Sequence, residues 1–161
     1  MTLKAYAFSL ILLALTFSNS YAASGCYNAQ EFEAEQGLRI HSELMVIGLT
    51  CQKVRGGEGL YNKYRKFTNK NQYLLGQYET TMLSHFRSTG QDAEASLHDL
   101  RTELANEVSQ KAIRMNMAAF CRHYGGRIDQ ALTMDHDTIR RWAQQEWPTQ
   151  PASKPKCNRY Y

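Results

Sequence analysis

NAQEFEAEQGLRIHSELMVIGLTC, residues 28–51, decides the fold. It opens on a capping box: Asn28 can accept from the amide of Glu31, and Glu31 can reach back to the amide of Asn28. Ile40, Leu44, Ile47 and Cys51 then recur at helical spacing and continue to Val54, with Leu38, Met45 and Leu49 widening the stripe. This is the start and the apolar face of one long helix, ended by RGGEG at 55–59. Glu31, Glu33 and Glu35 fall near its N-terminus, where acidic side chains are expected on electrostatic grounds alone. Gly48 costs about 1 kcal/mol relative to alanine inside a helix, and a close crossing by another helix would be a reason to keep it.

Downstream, the same periodicity continues. LYNKYRKF (60–67) reads as a short amphipathic helix with Leu60, Tyr61, Tyr64 and Phe67 on one face. TNKN (68–71) reads as a turn and a new cap. A third helix is predicted over 71–88 on Leu75, Tyr78, Met82 and Phe86, and Gly90 with Asp92 marks a stop and a restart. The longest helix is predicted over 92–123, on Leu97, Leu100, Leu104, Val108 and Met115, until YGGR breaks it. Two short helices follow, over 127–134 and 137–146, the second capped by Asp137 and packed through Ile139 and Trp142. All three prolines, Pro148, Pro151 and Pro155, lie in the last fourteen residues, so nothing interrupts helices before them. The expected fold class is all-α: an irregular bundle of five to six helices, two of them long, stapled by disulfides. It occupies residues 23–147 and is followed by a Pro-spaced tail, 148–161.

MTLKAYAFSLILLALTFSNSYAA precedes the bundle and reads as a secretory signal over residues 1–22. Lys4 is the positive n-region, Ala5–Phe17 the apolar run, and Ser20-Tyr21-Ala22 the small-x-small cleavage site. The run is shorter than the roughly 20 apolar residues a bilayer span needs, and no later segment could stop transfer; a retained anchor is the alternative. Cleavage leaves 139 of the 161 residues and lowers the formal charge from +4 to +3. That size supports one core. The mild excess does not imply nucleic-acid binding, and the expected location is periplasmic or secreted.

Four cysteines, Cys26, Cys51, Cys121 and Cys157, lie in the mature part. An even count in an exported chain suggests two disulfides, with three connectivities open. Cys51 and Cys121 each fall near the C-terminal end of a predicted long helix, and Cys26 and Cys157 lie outside the helical body, near the two ends. This placement favours 51–121 with 26–157, against buried free thiols at 51 and 121. Cys26 has a second reading as the lipid-bearing first residue of a lipoprotein. Ala23, where a large aliphatic is wanted, argues against it, as does the polar segment separating the site from the apolar run.

Chemistry-bearing motifs are sparse. The five histidines form no H-x-x-x-H or H-E-x-x-H, and DHD (135–137) reads better as a helix junction than as metal ligands. Asp99 and Glu103, four apart on one helix face, could share a proton or a metal, but no second helix supplies matching carboxylates. No nucleophile elbow, P-loop or dinucleotide fingerprint occurs. No cofactor and no metal are expected. One stretch is electrically distinct: Lys53, Arg55, Lys63, Arg65, Lys66 and Lys70 stand against Glu58 alone, interleaved with Tyr61, Tyr64 and Phe67. It is a candidate anionic-binding surface, with a solvated outer helix face as the bland alternative.

GLRIHSELMVIGLTC, YNKYRKF, LANEVSQ and FCRHY, in this order, resemble a family of small bacterial exported helical proteins with an ELMV…C / YN.F / LAN..S / FC pattern. The resemblance covers roughly residues 37–125. It implies an α-helical secreted protein in which Cys51 and Cys121 are the motif cysteines, which supports pairing them, and it carries over no catalytic residues. The family is sometimes labelled adenosylhomocysteine hydrolase; this chain is far too short for that enzyme and lacks its dinucleotide-binding glycines. The functional expectation is a non-enzymatic binding or structural component of the cell envelope, its partner an envelope component or protein. The alternatives are an enzyme of unrecognised type acting on envelope material, and a lipoprotein anchored through Cys26.

Overall fold

Helix α1, Ala29–Cys51, is the axis of the molecule. The computed structural model describes residues 25–157; the expected signal over 1–22 and the last four residues of the expected tail lie outside them. The capping box forms as its sequence requires. Asn28 Oδ1 accepts from the amides of Gln30 and Glu31, both at 2.9 Å, and Glu31 Oε2 accepts from the Asn28 amide at 2.8 Å. Five further helices surround α1 and all touch it: α2 (Leu60–Ser88), α3 (Ala93–Met115), α4 (Met117–Tyr124), α5 (Gly126–Thr133) and α6 (His136–Ala143). Leu38, Leu44 and Ile47 are at most 1% exposed, and burial of each such side chain is worth about 1.5–3 kcal/mol.

The bundle is all-α and disulfide-stapled, with six helices among the described residues. Three of them are long, because TNKN does not break the chain. Asn71 is buried and its Nδ2 donates to the Phe67 carbonyl at 2.9 Å, while Thr68 Oγ1 donates to the Tyr64 carbonyl at 3.2 Å. Both side chains bond one turn back, so helix 60–88 runs through. The predicted helix over 92–123 does break. Asn116, at φ 59°, ends α3, and its side chain caps α4 by accepting from Ala119 N at 3.0 Å; asparagine is the kind of residue that tolerates both roles. Helix α6 is capped by Asp135 through Thr138 N (2.8 Å), not by Asp137, since the helix starts at His136.

Two glycines let α2 approach α1. A Cβ on Gly48 would lie 3.2 Å from Tyr64 Cβ and 3.3 Å from Tyr61 Cα, so the close crossing is there. A Cβ on Gly37 would lie 2.2 Å from Tyr78 Cε2, inside the ring's van der Waals surface.

Cys51–Cys121 ties α1 to α4 with Cα atoms 5.5 Å apart, and Cys26–Cys157 joins the two ends with Cα atoms 5.0 Å apart. Around the second bond the chain makes a one-residue parallel bridge. Tyr27 N donates to Pro155 O and Cys157 N to Tyr27 O, both at 2.8 Å.

Candidate functional site: a tryptophan cleft framed by the tail

Helix α1 is buried on nearly every side, so its charged residues must be paired inside the molecule. Glu33, Glu35, Arg39 and Glu43 are all buried. Three of these carboxylates each hold a different outer element. Glu33 accepts from Arg140 Nη1 (2.8 Å) and Gln144 Nε2 (2.7 Å), which fixes α6 and the residue that follows it. It also accepts from Tyr78 Oη at 3.1 Å; burial and the neighbouring Glu33 push the Tyr78 phenol pKa up, so it remains a donor. Glu35 accepts from the backbone N of Ser153 at 2.7 Å and from its hydroxyl, pinning the tail, and also pairs with Arg39. Arg39 pairs in addition with Glu107 of α3. Glu43 accepts from Arg127 Nη1 at 2.5 Å, fixing α5.

The three elements held in this way enclose a cleft of about 700 Å³. One wall is the outer face of α6 and the residues after it: Thr138, Arg141, Trp142 and Gln145 stand at i, i+3, i+4 and i+7, opposite the buried Ile139 and Ala143. Arg127 and Gln130 of α5 form the second wall. WPTQ, residues 147–150, closes the third. Gln150 N donates to Trp147 O at 2.9 Å, a β-turn in which Pro148 supplies the fixed φ of the second position. Trp142 and Trp147, the chain's two tryptophans, both line the cleft, their ring centroids 5.8 Å apart and tilted 42°.

On the other side of Trp147 and Pro148, a second hollow of about 680 Å³ lies between the tail and α1, with Phe32 and Gln36 among its lining residues. Each hollow has a buried carboxamide on its wall without a hydrogen-bond partner: Gln150 Nε2 in the first, and both the N and O of Gln36 in the second. Buried polar atoms are normally satisfied by protein, water or ligand.

No family model, curated protein or solved structure matches the chain.

The residues singled out from sequence are elsewhere. Lys53 and Arg55 are exposed in the α1–α2 connection, and Arg65 and Lys66 are exposed on α2. Lys63 pairs with Asp129 at 2.7 Å, and Lys70 Nζ donates to the carbonyls of Leu132 (3.0 Å) and Met134 (2.8 Å), where it closes the end of α5. Arg55 and Lys63 do share a smaller hollow of about 440 Å³ beside Cys121, together with Arg122, Glu58 and Asp129, so the two carboxylates offset most of its positive charge. Tyr64 and Phe67 are core. Asp99 and Glu103 are exposed and line none of these cavities. Among the described residues no group of three or more His, Cys, Asp or Glu side chains is arranged to hold a metal.

The cleft had a sequence signal that went unread: a polar and aromatic i, i+3, i+4, i+7 set on a short helix, followed within a turn by a Trp-Pro pair. The glutamates of α1 gave none, because a carboxylate that anchors a neighbouring helix looks the same in sequence as one facing water.

Proposed function

We propose that this protein is an exported, non-enzymatic binding protein of the cell envelope, and that its ligand sits in the tail-framed cleft. The observation that carries the reading is the lining of that cleft: both tryptophans, Arg141 and three glutamines converge on one hollow of about 700 Å³. The two disulfides fit formation in an oxidising compartment, and no described helix is long and apolar enough to cross a membrane. Arginine, glutamine, threonine and tryptophan give the cleft hydrogen bonding and stacking. The competing enzymatic reading needs an acid–base pair in a concave site, whereas Asp99 and Glu103 are exposed outside these cavities.

The test uses the molecule's own reporter, since both tryptophans line the site. Purified mature protein is titrated with fractionated envelope material while tryptophan emission is followed. A saturable change that is lost in Trp147→Ala, with no chemical turnover of the fraction, is the expected result. Turnover abolished by a single substitution would establish the enzymatic reading instead, and silence toward every fraction would remove the binding one.

A further inference from the structure

The chemistry of the cleft points to a narrower ligand class, and this step rests on the binding reading above. We infer that the cleft takes an acidic saccharide, with the paired indoles of Trp142 and Trp147 as a platform for one ring face and Arg141 on its carboxylate. A pyranose is amphipathic in the same sense as this cleft: its C–H faces are apolar and its rim is hydroxyl. Indole faces suit the first, and carboxamides suit the second because each offers both donors and acceptors. Gln130, Gln145 and Gln150 supply three such groups, the first two exposed to the cleft.

Charge selects the acidic form. Two arginines line the cleft and no Asp or Glu does. Arg127 is committed to Glu43 (2.5 Å) and lies over the Tyr124 ring at 4.8 Å. Arg141 donates one bond, from Nη2 to Thr138 Oγ1 at 2.8 Å, and feels the nearby Asp135 carboxylate without a direct ion pair to it. That leaves most of its planar fork of donors, whose geometry matches a carboxylate. A purely apolar ligand would leave Gln130, Gln145 and Arg141 unmatched. Inorganic phosphate would use the arginine and neither indole. The rings are tilted 42° to one another and so form no parallel slot for a flat base.

The experiment is calorimetry, with tryptophan emission in parallel, on the mature protein. The acidic probes are trigalacturonate, N-acetylmuramate and N-acetylneuraminate; the controls are maltotriose, inorganic phosphate and UMP. At least one acidic sugar should bind saturably, at least tenfold tighter than maltotriose, phosphate or UMP. Arg141→Gln, at an exposed position that does not threaten folding, should erase that preference, and Gln145→Leu, also exposed, should weaken binding at least fivefold. The inference is overturned if no acidic sugar binds, if maltotriose, phosphate or UMP binds equally well, or if Arg141→Gln leaves the preference intact. Silence from all acidic sugars, beside an envelope fraction that still shifts emission through Trp147, removes the saccharide and leaves the binding reading standing. Silence from both removes both.

Discussion

His41 shows how one half-buried side chain makes stability depend on pH. It sits on α1 with Nε2 3.0 Å from Tyr64 Oη and 3.2 Å from Thr68 Oγ1. Thr68 spends its hydrogen on the Tyr64 carbonyl, so at the His41 contact its oxygen can only accept, from the Nε2–H tautomer of the imidazole. Burial, helped by the positive Arg101, lowers the His41 pKa to about 4. The unfolded chain takes up this proton near pH 6.5. At pH 7 both states are neutral and the group is silent. As pH falls from 6.5 toward 4 the unfolded state is protonated first, and stability is lost across that window. The full loss is about 3 kcal/mol and is complete once the folded state is protonated as well. Denaturant unfolding at pH 7 and pH 4.5 should therefore show the parent losing about 2–3 kcal/mol more than His41→Gln. The carboxylates titrate alike in both proteins and cancel. Equal losses would show that His41 is not held neutral.

At the scale of elements, the crossing of α1 and α2 depends on Gly37. Replacement by alanine gains about 1 kcal/mol of helix propensity. Against that, the new methyl would lie 2.2 Å from the ring of Tyr78, which is 3% exposed and hydrogen-bonded to Glu33. Overpacking of this kind costs about 1–3 kcal/mol, so Gly37→Ala should destabilise on balance. In a Tyr78→Leu background the obstacle is gone and the propensity gain should emerge, making the same substitution neutral or stabilising. Equal effects in the two backgrounds would show that the ring does not set the approach. The apolar stripe and cap of α1, and the close approach at Gly48, were legible in sequence because each is local or periodic. The continuity of α2 was not, because Thr68 and Asn71 look like turn residues until their side chains are seen bonding one turn back. The break at Asn116 was hidden for the opposite reason: one asparagine with positive φ interrupts an unbroken apolar period. The cleft is not legible as a site because its walls come from α5, α6 and a turn, brought together by carboxylates of α1 that helix N-terminus electrostatics alone would account for at Glu33 and Glu35.

For the whole molecule, the two disulfides are nested, and this sets what each contributes. Cys26–Cys157 spans 131 residues and encloses Cys51–Cys121, which spans 70. With the inner bond formed, the outer one closes only the remaining stretch of about 60 residues, so in the chain-entropy account each contributes about 4 kcal/mol. Their structural reach differs. The inner bond joins two helices at the core, where Cys51 is fully buried, whereas the outer one closes the strap that runs from Trp147 through Ser153 to Pro155 and is held on Glu35 and Tyr27. The clasp also occupies the Cys26 sulfur, so lipid attachment there and this bond exclude one another. The intact mass of the mature protein should show the loss of one hydrogen per cysteine and no acyl addition. The serine pairs should then separate the two roles. Cys51→Ser/Cys121→Ser should lower the unfolding free energy by about 4 kcal/mol and leave tryptophan emission native, because α5, α6 and the strap keep their anchors. Cys26→Ser/Cys157→Ser should cost a similar amount, keep its helical circular dichroism, and shift emission to the red as the strap loosens and Trp147 meets water. If emission is native in the clasp variant, the tail is held by Glu35 and Tyr27 without the disulfide, and the clasp contributes stability alone.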